Sequence, residues 1–169
     1  MTRAGGLVTA LYRQFGRLPE PARHFIVGLT TPAHRVGAAG VVTHEGKMLL
    51  CRHSYRPGWS LPGGMMAWKE KPLQAVLREV WEETGIETTT VGEAFVYTSF
   101  QPRRVEFVYD LRLGDGEDPS RADATSPEIE EVCWFDLGDK PELSPRTEGL
   151  LSWLDQVRQE RRRWADNIS

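Results

Sequence analysis

The order of patterns along the chain predicts an α+β fold, an α/β/α sandwich in which a mixed β-sheet is flanked by two helices. Three observations predict it. Strand-like runs occupy the stretch before residue 62, an arc of apolar residues at helical spacing follows between Leu73 and Thr84, and further strand-like runs lead to an amphipathic segment from Pro145 onward. At 169 residues and 40% hydrophobic content, the chain can bury one sizeable core and is too short for two full domains. The expected organisation is an N-terminal helical extension over residues 1–33 and a single domain over residues 34–169.

The first 35 residues carry Arg3, Arg13, Arg17, Arg23 and Arg35 against the single acid Glu20. Leu7, Val8, Leu11 and Phe15 have helical spacing, and Phe25-Ile26-Val27 resumes the apolar content after the Leu18-Pro19-Glu20-Pro21 break. One or two short helices packed on the main domain are expected. A membrane-surface role is the weaker reading, because the arginines are spread out and form no dense cluster. Val36 to Thr43 and Lys47 to Arg52 then read as strands joined by the hairpin signal His44-Glu45-Gly46. A loop at Ser54 to Gly58 and a short strand at Trp59 to Leu61 lead through Pro62 into the pair Gly63-Gly64. Arg56, in that loop, is a candidate phosphate contact.

From Pro72 the pattern is helical. At about 100° per residue, Leu73, Val76, Leu77, Val80 and Thr84 share one arc, while Glu79, Glu82 and Glu83 share the adjoining flank. Helix stability alone disfavours that flank: Glu79 and Glu83 repel at i,i+4, and all three acids sit near the negative end of the helix dipole. Something cationic is expected there. An all-oxygen set suits a hard divalent ion, Mg²⁺ or Mn²⁺, and Arg78 is spaced to orient one of the carboxylates. Gly85 suits a left-handed helix end, Pro72 suits the first turn, and Gly63-Gly64 offers backbone that a metal or phosphate can approach closely.

Val91 to Phe100 and Arg104 to Leu113 read as an antiparallel pair joined at Gln101-Pro102-Arg103. Tyr97, Phe100, Phe107 and Tyr109 lie along it. Core filling is the stronger reading for these aromatics, and stacking on a base is the alternative for Tyr97. Residues 114 to 127 are polar and loop-like, Glu128 to Phe135 opens acidic and turns into a strand, and Leu150, Leu151, Leu154, Val157 and Trp164 mark a C-terminal amphipathic helix.

The segment Gly64 to Ile86 fills every specified position of G-x5-E-x7-R-E-U-x-E-E-x-G-U, where U is aliphatic, through Gly64, Glu70, Arg78, Glu79, Val80, Glu82, Glu83, Gly85 and Ile86. It resembles the signature box of the Nudix hydrolase family, and nine matched positions make the resemblance specific. The resemblance implies the Nudix fold. It also implies hydrolysis of a nucleoside diphosphate linked to another moiety, through attack of a metal-activated water at phosphorus. By the same resemblance, Glu79, Glu82, Glu83 and the Gly63 carbonyl match metal-holding positions, Arg78 matches an orienting arginine, and Glu70 matches a supporting carboxylate. The loop before the closing strand often supplies one more acid in such proteins, which makes Glu128, Glu130 and Glu131 candidates. Pro102 follows Ile86 by sixteen residues, the interval seen in proteins that resemble ADP-ribose pyrophosphatases, and Arg103 and Arg104 come next. A nucleoside diphosphate sugar is therefore the leading substrate. Nucleoside triphosphates, dinucleoside polyphosphates and a non-catalytic nucleotide-sensing role are the alternatives, and a plain turn also accounts for Pro102.

A net charge of −3 gives no ground for nucleic-acid binding. Cys51 and Cys133 sit in apolar runs without zinc-ligand spacing, and no run approaches the roughly 20 apolar residues of a membrane span. The expectation is a cytoplasmic protein that acts on a small nucleotide derivative, binds neither nucleic acid nor membrane, and leaves homodimerisation open.

Overall fold

The computed structural model of the protein describes residues 3–31 and 33–168. The chain divides between residues 34 and 35 into two compact units. The first contains helix α1 (Arg3–Arg17) and helix α2 (Glu20–Thr30). Pro19, in an extended conformation, separates them, and Pro21 sits in the first turn of α2, where its missing N–H is harmless. The side chains of Arg3 and Leu7 lie outside the described residues. No helix among the described residues is long and apolar enough to cross a membrane.

In the second unit, β1 (Arg35–His44) and β2 (Lys47–His53) form the expected hairpin, but they pair only at Thr43–Met48 and His44–Lys47 before diverging. Beyond that point β1 pairs with β4 (Gly63–Met65) on one side and, in parallel, with β7 (Arg103–Leu113) on the other. Strand β2 pairs with β3 (Trp59–Ser60) and β8 (Ile129–Asp136), both antiparallel. The result is a mixed eight-stranded sheet in an α+β fold. The run expected as one strand from Val91 to Phe100 is interrupted. A short β5 (Thr88–Thr90) pairs with Leu111 to Leu113, and β6 (Phe95–Phe100) pairs with Arg103 to Val108. Between them Thr90 Oγ1 donates to the Gly92 carbonyl at 2.7 Å, a local turn that breaks the strand.

Two helices cover the sheet: α3 (Pro72–Thr84) and α4 (Pro145–Ile168). The period-2 alternation of the strands divides the core between them. Ala38 and Val42 of β1, Leu49 of β2 and Leu111 of β7 pack with Ala75, Val76 and Val80 of α3. Ala39, Val41, Met48, Leu50 and Val108 pack with Leu150, Leu151 and Leu154 of α4. Gly40 lies on the α3 side, where an added Cβ would stand 2.6 Å from Leu111 Cδ1 and 3.2 Å from Val80 Cγ2. Its lack of a side chain lets α3 pack close against β1.

Candidate active site

Helix α3 is bounded as its sequence suggests. Pro72 occupies the first turn, the Lys71 N–H donates to Gln74 Oε1 at 3.2 Å, and Gly85 closes the helix with φ +68° while donating to the Trp81 carbonyl at 2.9 Å. Its buried side is wider than the expected apolar arc: Ala75, Val76, Val80 and Thr84 are joined there by Glu83, which is only 7% exposed. Glu83, on the flank adjoining the expected apolar arc, is held against β4, with Oε2 accepting the Gly63 N–H at 2.9 Å.

Arg78 is the hub of the neighbouring carboxylates. Its Nε and Nη2 donate to Glu70 Oε1 and Oε2 at 2.8 and 2.9 Å, a bidentate fork, and its Nη1 donates to Glu79 at 3.0 Å and to Glu82 at 2.8 Å. Glu70 Oε2 also accepts the Ala67 N–H at 2.8 Å. These bonds, the Arg78 fork first, bring the Glu70 carboxyl down to about 2, and the same fork raises the Arg78 pKa.

A cleft of about 310 Å³ is lined by Gly63, Gly64, Glu79, Glu83 and Glu128, together with Arg56, Arg104 and Arg146. Gly64 is required here: a Cβ would stand 2.5 Å from the Glu79 carboxyl carbon. Burial, reinforced by Glu79, pushes the Glu83 carboxyl up to about 7 against the stabilising Gly63 N–H. Burial also raises Glu79, although Arg78 opposes it. Glu83 is buried with no lysine or arginine bond among the described residues, whereas the half-buried Glu79 already shares Arg78, so the demand for a cation falls most on Glu83. Glu82 does not line this cleft; it lies on Arg78 and lines a separate groove with Trp81 and Arg121. Among the described residues, no three His, Cys, Asp or Glu side chains stand as a ready-made metal cluster. Of the acids before β8, Glu128 lines the cleft and accepts from the Tyr55 hydroxyl at 3.3 Å, whereas Glu130 and Glu131 pair with Arg52.

The basic residues of the cleft also line a second one, of about 420 Å³, with Tyr97, Pro102 and Glu106. Tyr97 also packs on Trp153 with ring centroids 5.2 Å apart, so it serves the core and the cleft wall together. Four contributors lie outside the residues expected from the sequence: His53, Tyr55, Glu106 and Arg146. Glu106 is fully buried in β7 and accepts both Arg146 Nη2 and, at 3.2 Å, Arg146 Nε. An acid inside the apolar run from Arg104 to Leu113 was the legible signal for that pair. His53 Nε2 meets Arg56 Nη2, and burial, aided by Arg56 and Arg146, lowers the imidazole to about 4. His53 is therefore neutral at pH 7 and accepts through Nε2, which leaves the hydrogen on Nδ1.

The family profile described as NUDIX domain matches residues 33–154. A MutT-like protein from Streptomyces ambofaciens is 36% identical over 62% of the chain and 65% of its own length. An ADP-ribose pyrophosphatase from Methanocaldococcus jannaschii is 31% identical over 64% of the chain and 66% of its own length. In both cases the match spans just under two thirds of the relative's length. Among solved structures, a MutT NUDIX hydrolase from Burkholderia pseudomallei is 29% identical with a TM-score of 0.58, covering 72% of this chain and 98% of that one.

Proposed function

This chain belongs to the NUDIX domain family, and from that premise we propose that it is a metal-dependent hydrolase of the diphosphate bond in a nucleoside diphosphate linked to another moiety. The observation that carries the reading is the shared cleft, where Glu79, Glu83 and Glu128 stand with Arg56 and Arg104. A nucleoside diphosphate sugar such as ADP-ribose is the leading substrate. The relative from Methanocaldococcus jannaschii bears that activity in its name, and Pro102 lines the adjoining cleft beside Tyr97.

The donor set fits Mg²⁺ or Mn²⁺. It is all oxygen, and burial of Glu79 and Glu83 sets up a demand for positive charge that no lysine or arginine bond to Glu83 meets among the described residues. Glu79, Glu83 and the Gly63 carbonyl would hold the ion, with Glu82 added on exchange of its bond to Arg78. When bound, such an ion neutralises the diphosphate and lowers the pKa of water. The chain's own residues do the rest. Arg78, fixed by Glu70, orients Glu79, and the Gly63 N–H orients Glu83. Glu128, steadied by Tyr55, takes the proton of the attacking water, and Arg56 and Arg104 hold phosphate oxygens.

Product release from a panel of ADP-ribose, nucleoside triphosphates and dinucleoside polyphosphates, with Mg²⁺ or Mn²⁺ and with chelator, tests this. Metal-dependent turnover fastest on ADP-ribose is the expected result. Undiminished turnover after exhaustive chelation removes the metal, faster triphosphate turnover removes the substrate, and nucleotide binding without any turnover leaves a sensing module.

A further inference from the structure

Arg146 is the second residue of α4, well outside the motif on α3, and its guanidinium is tied to the fully buried Glu106 through Nε and Nη2. A pair whose only task is to fasten α4 to β7 would be closed off. This one opens onto both clefts, beside Arg56 and Arg104. Among the described residues Glu106 alone ion-pairs with these guanidiniums, through Arg146 and Arg104, and repulsion from Arg104 and Arg56 adds to burial, against the pull of Glu83, in bringing Arg146 down to about 10. Hydrogen bonding is incomplete as well: Arg56 Nε, Arg104 Nε and His53 Nδ1 are buried without a partner among the described residues. Unmet buried donors are costly to leave, and a ligand that supplies several anionic oxygens satisfies them together.

We infer that Arg146, positioned by Glu106, forms with Arg56 and Arg104 an anion subsite for the substrate phosphate that the Glu79–Glu83 carboxylates and their cation do not hold. This rests on the hydrolase reading above and deepens it. The subsite makes two contiguous phosphates the recognised unit, one on each half of the cleft. With Nε and Nη2 committed to Glu106, the guanidinium is held in place and its Nη1 side donates to phosphate oxygens with little further ordering.

Calorimetric titration of the Mg²⁺-loaded full chain with methylenediphosphonate, a non-hydrolysable diphosphate mimic, tests it. The double variant Glu106→Gln with Arg146→Met avoids stranding a buried carboxylate. It is expected to bind the diphosphonate about 10- to 100-fold more weakly while its Tm and its titration by Mg²⁺ alone stay near wild type. Arg104→Gln, which leaves the Glu106–Arg146 pair intact, is expected to lose about tenfold and decides the matter if the double variant does not fold. Wild-type affinity in either folded variant overturns the subsite and leaves metal-dependent turnover standing. Failure of the wild type to bind the diphosphonate, with metal-dependent turnover retained, also overturns the subsite alone. The same failure without metal-dependent turnover removes the hydrolase reading beneath it.

Discussion

Glu83 combines two properties that pull against each other. It is buried and bonded to the Gly63 N–H, yet it belongs to the set proposed to bind a cation. Glu83→Gln is expected to lower turnover by at least about 10², the scale of one preorganised electrostatic contact, with the fold intact; steady-state kinetics beside a circular-dichroism melt checks both. The same residue predicts a pH effect in chelator. Its carboxyl stands at about 7 in the folded protein against an ordinary value of about 4.3 unfolded. Between those values the native state holds a proton that the unfolded chain releases, so stability falls as pH rises. The contribution is complete below about pH 4 and lost above about pH 7. Metal-free Glu83→Gln should therefore melt higher than wild type at pH 8 and match it only near pH 4, at about 2–4 °C per kcal/mol. Equal melting at both values would show that Glu83 ionises without cost.

Strand β4 and helix α3 are positioned by glycines that fail differently when replaced. At Gly63, φ is +143° and a Cβ would stand 2.3 Å from the Ala38 carbonyl oxygen, so neither backbone can yield. Gly63→Ala should cost on the order of 3 kcal/mol in urea denaturation. At Gly64 the three atoms nearest the added Cβ all belong to the side-chain carboxylate of Glu79, at 2.5 to 2.6 Å. Gly64→Ala should keep stability within about 1 kcal/mol and lower turnover about tenfold or more, because Glu79 is displaced. If both variants lost stability alike, Gly64 would be a structural glycine only. Gly40→Val tests the seat of α3 on β1: crowding against Leu111, Val80 and Val76 should destabilise the domain by about 1–3 kcal/mol.

At the scale of the whole molecule, a cation that binds only the native state adds RT ln(1 + [M]/Kd) to its stability, about 2.7 kcal/mol at a hundredfold excess over Kd. Titration with Mg²⁺ or Mn²⁺ should raise Tm progressively in the wild type and much less in Glu83→Gln. The same rise in both would place the ion elsewhere. Stability and activity would then share one cause, since the ion that the proposed reaction needs would also offset the cost of ionising the buried Glu83 carboxyl.

The sequence by itself determined the helix from Pro72 to Thr84, its closure at Gly85, the β1–β2 hairpin turn and the grouping of Glu70, Arg78, Glu79, Glu82 and Glu83. These depend on neighbours within about two helical turns, so spacing and end signals carry them. Only the tertiary structure decided the parallel pairing of Arg35–Val42 with Arg104–Leu111, because parallel partners share no turn that would announce them. It also set Glu128 in the cleft wall and Glu130 and Glu131 on Arg52, turned Glu83 onto the Gly63 amide and brought Arg146 to Glu106 across 40 residues. Each of those outcomes is a contest among burial, charge and backbone pairing between segments far apart in the chain, and local pattern does not record who wins it.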